Sequence, residues 1–286
     1  MNPNHVLAVD LGGTKTAIAL VDAQGRIHDK TKRPAHRSVE AAVNQIAERA
    51  NGAVAVGIIV PGIYDPRNGK AWAPNLWGTE HVPLRDALAA RLQVPFVIAS
   101  DRAGYVLGEQ WLGAAQGAND VVFVAVGTGI GVGMICGGRL MEGAHGISGA
   151  AGWMAVDRAW KPEYANAGCW ESEAAGPAAA RRAGAATAED VVARARAGDA
   201  RSSAVLRETA EYLGLGIANL ISVLDPEVVV LGGGLMQAAD LMLDGIRETV
   251  MRWAQPVASR LVRIERTALG EDAGLLGAAR LAYMKE

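Results

Sequence analysis

The sequence predicts an α/β protein of two related domains, because one pattern of strands and glycine turns occurs twice along the chain. In each copy an apolar strand enters a Gly/Thr turn, a second apolar strand follows, and a short turn leads to an arginine and an aliphatic residue. The copies end at residues 25–27 (GRI) and 138–140 (GRL), about 113 residues apart, and such repeats indicate duplicated structural units. We expect two α/β domains that face a cleft.

Composition and charge favour a small-molecule ligand. Of the 286 residues 50% are hydrophobic and 20% are charged, which is typical of a folded globular chain. The 28 basic and 30 acidic side chains nearly cancel and form no basic block, which argues against nucleic acid and an anionic membrane as partners. Cys136 and Cys169 are too few for a disulfide framework, and neither a signal peptide nor a membrane-length apolar run is visible. The expected location is the cytoplasm.

The first glycine turn is a candidate phosphate site. An apolar strand over residues 6–9 ends at Asp10, and residues 12–15 (GGTK) supply flexible backbone, a hydroxyl and an ammonium before strand character resumes at Ala17. Glycine lets backbone N–H groups approach an anion closely, and Asp10 at the strand end suits a hydrated Mg²⁺. A plain hairpin with a glycine turn has the same pattern, so this turn alone leaves both interpretations open.

Hydrophobic periodicity and turn residues predict the other elements. Asp101 comes directly after a short apolar strand, at the strand end where open α/β sheets bind ligands. A run rich in Pro, Gly and Asn predicts a long irregular loop over residues 61–77, and residues 143–170 also look irregular. Helices are predicted over residues 38–50, 83–92, 103–112, 171–182, 188–197, 200–224 and 235–255, with a closing helix at the C-terminus, and further strands over 53–60, 96–99, 120–126, 227–231 and 261–266.

Three glycine turns together favour a nucleotide as the ligand. They follow Val9, Val126 and Leu231, and each alone could be a tight corner. Thr14 and Thr128 in two of the turns suit a grip on a phosphate tail, and the third turn begins a helix where an adenosine could lie. No GxxxxGK[ST] motif occurs, so the site is not of the Walker type.

An ordered set of motifs resembles the ROK (repressor, open reading frame, kinase) sugar kinases, in particular bacterial glucokinases of the actin-like ATPase superfamily. The motifs are AVDLGGTKTAIALVD, the run from residue 61 to residue 76, SDRAGYVLGE, VAVGTGIGVGMICGGRLMEG, AGCWESEA, NLISVLDPEVVVLGGGL and ALGEDAGLLGAARLA, and together they cover the chain. The resemblance implies a ribonuclease-H-like fold with a small domain over residues 1–113, a large domain over 114–270, and a last helix at about 271–286 returning to the first. It also implies ATP and Mg²⁺ in the cleft and phosphorylation of a sugar hydroxyl.

The same resemblance assigns roles by position. Asp101 is similar to the general base that takes the proton from the attacking hydroxyl, and a carboxylate at a strand end needs no unusual pKa for this. A helix cap is the alternative role for Asp101. The other positions with implied roles are, for phosphate, nucleotide and Mg²⁺, Asp10, Gly12, Gly13, Thr14, Lys15, Thr128, Gly129, Gly233 and Gly234, and for the sugar, Gly62, Asn75, Ser100, Trp153 and Glu171.

The sequence departs from the family pattern on the sugar side. Ser100 and Ala103 stand where the family usually has Asn on either side of the base, Ala150 replaces a sugar-binding Glu, and Trp153 replaces a His that binds sugar and a structural zinc. We therefore expect glucose to be a poor acceptor and a substituted, bulkier or less hydroxylated sugar or cyclitol to be a better one. Trp153 would either stack on the ring or fill the vacated space.

A structural zinc is not expected. Such a site needs four ligands, usually thiolates and imidazoles, and Cys169 is the only cysteine in the segment that would supply them. Trp153, Trp160, Tyr164 and Trp170 are predicted to fill this volume as an aromatic cluster.

Two interpretations without catalysis stay open beside the kinase. A nucleotide-binding pseudokinase would explain the missing sugar ligands. A sugar-sensing regulator is the other, although the family's repressors carry an N-terminal DNA-binding segment and here the first strand begins by Val6. The resemblance also leaves a homodimer open.

Overall fold

The computed structural model describes residues 5–284, and its framework is two five-stranded sheets with a separate two-stranded ribbon. The strands are β1 (Val6–Leu11), β2 (Lys15–Val21), β3 (Ile27–Pro34), β4 (Val56–Val60), β5 (Ile63–Asp65), β6 (Lys70–Trp72), β7 (Phe96–Ser100), β8 (Val121–Val126), β9 (Ile130–Cys136), β10 (Arg139–Leu140), β11 (Val228–Gly232) and β12 (Arg263–Arg266). The α-helices are α1 (Val39–Arg49), α2 (Pro74–Trp77), α3 (Leu84–Ala89), α4 (Asp101–Leu112), α5 (Tyr164–Ala167), α6 (Cys169–Ala174), α7 (Gly176–Ala183), α8 (Ala188–Arg196), α9 (Ala200–Leu224), α10 (Leu243–Trp253), α11 (Ala258–Leu261) and α12 (Ala273–Tyr283).

The two large sheets have one topology, which confirms the α/β fold class and matches the repeat in the sequence. The first has the order β3-β2-β1-β4-β7 and the second the order β10-β9-β8-β11-β12. In each, a hairpin pairs the first two strands antiparallel, and two further strands add in parallel. The carboxyl ends of the three parallel strands therefore meet at one edge of each sheet, where ligands bind in open α/β sheets.

The chain forms two compact units, and one segment falls outside the predicted boundaries. The first unit runs to Gly117 and also contains Leu140–Ser148 and the chain from Ala268 onward, and the second contains Ala118–Arg139 and Gly149–Thr267. The predicted division at residues 113 and 270 placed residues 140–148 in the second domain, but the structure groups this segment with the first unit. One reason is close packing: a Cβ on Gly146 would lie 2.4 Å from the carbonyl oxygen of Tyr64.

In the first unit helices cover both faces of the sheet. One face packs with α1 and α3 through residues such as Ile46 and Leu88, and the other packs with α12 through Leu275 and Ala279. Helices α12 and α4 lie so close that a Cβ on Gly277 would lie 1.7 Å from the carbonyl oxygen of Gly104. Small residues at this crossing let the last helix pack within the first unit, where the resemblance places it.

The second unit builds its core around a buried tryptophan. The Trp170 side chain is fully buried and its Nε1 donates to the carbonyl oxygen of Tyr212 on α9 at 2.8 Å. Gly216 on the same helix leaves room for the indole, since a Cβ there would lie 2.1 Å from the ring. A buried indole with its N–H paired contributes a large apolar area without an unsatisfied donor.

Three predicted elements are wrong in detail. The loop predicted over residues 61–77 contains the ribbon β5–β6 and helix α2. The predicted helix 171–182 breaks at Ala175, which is extended, because Pro177 cannot donate to a continuing helix and begins a new one instead. The predicted helix 235–255 starts as a 3₁₀ segment over Gly234–Leu241, with non-helical backbone at Ala238, before α10.

Of the helices within residues 5–284, none is both long enough and apolar enough to span a membrane.

Candidate active site

The carboxyl end of β1 carries Asp10 and the first glycine turn. The turn is tight: Gly12 donates its backbone N–H to the carbonyl oxygen of Lys15 at 2.9 Å, and a Cβ on Gly12 would lie 2.6 Å from that oxygen. The Thr14 and Lys15 side chains are exposed. Gly12 and Gly13 leave the backbone of the turn accessible, and the exposed Thr14 hydroxyl and Lys15 ammonium lie next to it. This arrangement fits a phosphate chain.

Asp10 lies against the start of the last helix. A Cβ on Gly274, in the first turn of α12, would lie 2.3 Å from Asp10 Oδ2, so only glycine leaves room for this carboxylate. Burial raises the pKa of Asp10 to about 7, the charge of Asp101 adds to the rise, and Lys32 opposes it. A bound Mg²⁺ would lower the pKa of Asp10 and favour its carboxylate form. Asp10 is therefore suited to a metal that binds together with a nucleotide.

Asp101 is the first residue of α4, at the carboxyl end of β7. Burial raises the pKa of Asp101 to about 6, and the charge of Arg102 and backbone hydrogen bonds hold it from rising further. Its Oδ1 accepts the Arg102 N–H at 2.8 Å. The cap of α4 is Ser100, whose Oγ accepts the Ala103 N–H at 3.4 Å. The alternative role for Asp101, a helix cap, thus falls to Ser100, and sugar binding by Ser100 stays a prediction.

Strand pairing explains why the two carboxylates influence each other. Asp10 pairs with Ile59 on β4, and Val60 pairs with Ser100 on β7, so the ends of β1, β4 and β7 lie side by side. Tyr105, one helical turn after Asp101, is close enough that burial together with the charges of Asp10 and Asp101 raises its pKa well above the ordinary value. The edge of the first sheet therefore holds two partly buried acids with raised pKa values.

Arg102 is a site residue that the motif analysis missed. Its Nη2 donates to the carbonyl oxygen of Gly62 at 3.1 Å, while its Nε is buried and has no hydrogen-bond partner among residues 5–284. Burial lowers the pKa of Arg102 and the Asp101 carboxylate partly offsets this. The sequence offered one signal, an arginine directly after the acid that ends a strand.

Gly62 and Asn75 border the same edge. Gly62 has φ +89°, and a Cβ there would lie 2.3 Å from the carbonyl oxygen of Trp72, so the turn after β4 requires glycine. Asn75 is the second residue of α2, and its carbonyl oxygen accepts a hydrogen bond from Arg37 Nη1 at 2.6 Å. A Cβ on Gly13 would lie 3.5 Å from the Cβ of Asn75. The first unit thus brings the predicted phosphate turn next to a predicted sugar ligand.

In the second unit Glu171, on α6, packs its side chain against the turn between β8 and β9. Its Oε2 accepts the backbone N–H of Ile130 at 2.7 Å, and a Cβ on Gly129 would lie 2.6 Å from the same oxygen. Burial raises the pKa of Glu171, and the bond from Ile130 opposes the rise. The turn that carries Thr128 therefore needs glycine at residue 129 to admit this carboxylate.

The third glycine turn lies beside the second. Gly233 has φ +90°, and a Cβ there would lie 2.4 Å from the carbonyl oxygen of Val126. A Cβ on Gly127 would lie 3.8 Å from the backbone nitrogen of Gly234. The structure thus joins the predicted nucleotide residues Thr128, Gly233 and Gly234 within one unit.

The predicted aromatic cluster is wrong. Trp153 and Trp160 are 58% and 72% exposed, and Trp170 points into the core instead. An ionic group holds this segment: buried Glu173 accepts from Lys161 Nζ at 2.5 Å and from the Tyr164 hydroxyl. Trp160 only touches Tyr164 edge-on, with ring centroids 5.9 Å apart. The aromatic side chains do not form a cluster here because Glu173, Lys161 and Tyr164 occupy this region and pair with one another.

Within residues 5–284, one group of three potential metal ligands lies close together, and it includes no residue of the segment 157–170. His5, Asp22 and His28 stand at the opposite end of β1 from Asp10, with ligand atoms within 4.8 Å of one another. Arg26 Nε already donates to Asp22 Oδ2 at 2.7 Å. The expectation that no structural zinc is bound stays a prediction.

Comparison with known proteins establishes the family. The profile of the ROK family matches residues 6–285. The chain is 33% identical to the glucokinase of Streptomyces coelicolor over 312 aligned residues, which cover 96% of each protein. The chain belongs to the ROK family.

Solved structures agree with this assignment. The ROK hexokinase of Thermus thermophilus matches with a TM-score of 0.84 and 32% identity, covering 98% of both chains. A ROK family glucokinase of Streptomyces griseus, in complex with glucose and AMPPNP, matches with a TM-score of 0.81 and 31% identity over 98% of this chain and all of that one. The fold is the ribonuclease-H-like fold of the ROK sugar kinases and other actin-like ATPases.

Proposed function

We propose that the protein transfers the γ-phosphoryl group of ATP to a hydroxyl group of a sugar or related polyol, with Asp101 as the general base. The observation that carries the proposal is the pair Asp10 and Asp101 at the carboxyl ends of β1 and β7, the two strands that flank β4, beside a glycine turn that fits phosphate. Similarity to a glucokinase bound to glucose and an ATP analogue supports the substrate classes.

Asp101 is suited to accept a proton at neutral pH. Because its pKa is about 6, most molecules carry the carboxylate at pH 7.5, and the pKa lies close enough to the working pH for efficient proton transfer. Oδ1 is held by the Arg102 N–H, which fixes the orientation of the carboxyl group. The role proposed for Asp101 is to orient the acceptor hydroxyl and to take its proton as the bond to phosphorus forms.

Asp10 and the glycine turns are proposed to serve the nucleotide. Asp10 would hold Mg²⁺ through water, and Mg²⁺ bound with ATP supplies neutralisation of the phosphate charge. Gly12, Gly13, Thr14 and Lys15 would contact phosphate from the first unit. In the second unit the roles proposed for Thr128, Gly129, Gly233 and Gly234 are contacts to phosphate and to the adenosine.

The acceptor contacts proposed are Gly62, Asn75, Glu171 and Trp153. The exposed Trp153 indole supports the stacking role over the filling role, because a side chain that is 58% exposed does not fill a cavity. Ala150 and Trp153 stand where the resemblance implies polar sugar ligands. For this reason we propose that glucose is a poorer acceptor than a substituted sugar or a cyclitol.

A panel of acceptors tests the proposal. Purified protein is incubated with ATP and Mg²⁺, and ADP and phosphorylated product are quantified for glucose, amino sugars, N-acyl sugars, deoxy sugars and cyclitols. We expect at least one acceptor to yield ADP and product in equal amounts. Tight ATP binding without transfer to any acceptor would instead favour the pseudokinase or regulator. A homodimer and a cytoplasmic location remain expectations, which light scattering and fractionation test.

A further inference from the structure

Arg102 is a half-buried cation at the active-site edge of the first unit, and its Nε is fully buried. It is fixed at one end because Arg102 follows Asp101 in the first turn of α4, and at the other because Nη2 donates to the Gly62 carbonyl oxygen at 3.1 Å. Asp101 is the proposed base and has to touch the acceptor. A cation fixed on the next residue and on the Gly62 turn is therefore within reach of groups on the same acceptor.

Within residues 5–284, one hydrogen bond from the Arg102 guanidinium to another residue is seen. Guanidinium has five N–H donors in a planar fork, and one donor goes to Gly62. Nε is buried and finds no acceptor in the described part of the chain. Buried polar groups nearly always have partners, and a buried charge without full pairing is costly. The Asp101 carboxylate lowers this cost, but its Oδ1 accepts from the Arg102 backbone N–H rather than from the guanidinium.

A neutral sugar hydroxyl would supply an acceptor to Nε but no charge. A carboxylate, sulfate or phosphate would supply both, and guanidinium binds such oxyanions through two parallel hydrogen bonds. The nucleotide has another cation available, because the exposed Lys15 ends the turn that follows β1. Arg102 is tied to the turn that follows β4, where the proposed acceptor ligand Gly62 lies.

We propose that Arg102 forms an anion subsite for the acceptor, so that the preferred substrate is a sugar or cyclitol bearing a carboxylate, sulfate or phosphate group. This inference rests on the proposed function, since it names the class of acceptor for the same site. The reaction stays a phosphoryl transfer: the acceptor hydroxyl bonds to the γ-phosphorus, ADP leaves, and Asp101 takes the proton.

The test compares charged and neutral acceptors in three variants. Values of kcat/KM are measured for glucose, glucosamine, glucuronate and gluconate with wild type, Arg102→Gln and Arg102→Lys. Arg91→Gln is the matched control, because Arg91 is an exposed arginine of the same unit. We expect wild type to prefer the anionic sugars, and the ratio of anionic to neutral kcat/KM to fall about 10- to 100-fold in Arg102→Gln, as for loss of a charge-assisted hydrogen bond. Arg102→Lys should lose less, and Arg91→Gln should keep the wild-type ratio.

Calorimetry separates this inference from the proposed function. Binding of glucuronate and glucose is measured in the presence of Mg²⁺ and AMPPNP, with wild type and Arg102→Gln. Loss of glucuronate affinity in Arg102→Gln would support the subsite even if no acceptor were phosphorylated. Two results would overturn the inference: a wild type that binds and phosphorylates glucose as well as it does glucuronate, or an equal fall for all acceptors in Arg102→Gln, which would assign Arg102 to the transferred phosphoryl group. If Arg102→Gln does not fold, Arg102→Lys is the test variant. An anionic-to-neutral kcat/KM ratio that is the same in Arg102→Lys as in wild type would then overturn the inference.

Discussion

The two sheets share one backbone plan but carry different chemistry at the same edge. In the first unit the strand ends present the carboxylates Asp10 and Asp101, and both have raised pKa values. In the second unit the equivalent strands β8 and β12 end at Val126 and Arg266; Gly127 follows the first and Thr267 follows the second. A duplicated fold thus carries the proposed base in the first unit, whereas glycine turns proposed to bind the nucleotide occur in both units.

In each half a glycine with positive φ follows the corresponding strand. The strand next to the central one is β4 in the first sheet and β11 in the second, and each leads into a glycine with φ near +90°, Gly62 and Gly233. In both, a Cβ would collide with a carbonyl oxygen, of Trp72 at 2.3 Å and of Val126 at 2.4 Å. The common backbone requires glycine here in both units, whereas the side chains around it are free to differ.

The largest effect is expected from Asp101→Asn. The amide keeps the shape of the carboxylate but cannot take the proton, so we expect turnover to fall about 10²- to 10⁴-fold. ATP affinity, measured by calorimetry, should stay within a few-fold of wild type. Asp86→Asn, an exposed acid on α3, is the control and should retain full turnover. Near-normal transfer by Asp101→Asn would contradict the assignment of the base.

Alanine at Gly62 is expected to destabilise the first unit, and alanine at Gly233 the second. Gly62→Ala and Gly233→Ala combine an unfavourable φ with a backbone collision, while Gly78→Ala has only the unfavourable φ of +83° and open space around it. Strain of this kind costs about 1–3 kcal/mol, and the collision should add at least about 1 kcal/mol. Urea unfolding measures the difference. Equal stability of Gly233→Ala and Gly78→Ala would show that the collision with the Val126 carbonyl oxygen does not constrain the turn after β11.

Activity and stability are expected to respond to pH in opposite directions. Asp101 titrates at about 6 and Asp10 at about 7 in the folded protein, against 3.8 for an ordinary aspartate. Because both proposed roles use the carboxylate form, the rate should fall about tenfold per pH unit between pH 7 and pH 6 and about 100-fold per unit below pH 6. Because the folded state binds these protons more tightly than the unfolded state, this pair contributes stability that is present near pH 4 and lost as the pH rises to about 7. Asp101 raises and Lys32 lowers the pKa of Asp10, Arg102 lowers the pKa of Asp101, and Tyr105 lies close to both carboxylates.

Denaturation and kcat/KM profiles between pH 4 and pH 9 check this prediction. Asp101→Asn should flatten the stability profile between pH 4 and pH 6, since it removes one of the two raised pKa values. A stability profile that rises with pH over this interval, or a rate that is constant down to pH 5, would contradict it.

The smallest effect is expected from Trp153→His. This change should raise kcat/KM for glucose relative to the other acceptors by a few-fold, because a donor–acceptor ring replaces an apolar one. Trp253→His, at an indole that is 61% exposed on α10, is the matched control and should leave the ranking unchanged. An unchanged ranking in Trp153→His, with glucose the best acceptor, would remove Trp153 from the site.

The sequence predicts the fold better than it predicts the irregular segments. Alternating strands and helices, the internal repeat and the helix predicted over residues 38–50 all appear in the structure, because hydrophobic periodicity is a local signal. The break at Ala175 was missed although Pro177 is a local signal for it. The 3₁₀ segment before α10 was missed because hydrophobic periodicity does not distinguish it from an α-helix.

The candidate site was predictable where a motif has a backbone reason. Asp10, Asp101 and the glycines follow from strand ends and turns, and the structure brings them together as expected within each unit. Arg102 and Glu173 were not predicted, because their importance comes from partners distant in sequence, Gly62 for one and Lys161 and Tyr164 for the other. Single-sequence patterns do not contain such pairings.

The measurement closest to the central claim is an Mg²⁺ titration of phosphoryl transfer by wild type, Asp10→Asn and Asp101→Asn. If Asp10 serves the nucleotide and its metal while Asp101 takes the proton, Asp10→Asn should raise the Mg²⁺ concentration for half-maximal rate at least about tenfold, as loss of a metal-site partner does. Asp101→Asn should lower the maximal rate without moving that midpoint. Equal shifts of the midpoint in both variants, or none in Asp10→Asn, would contradict this division of roles.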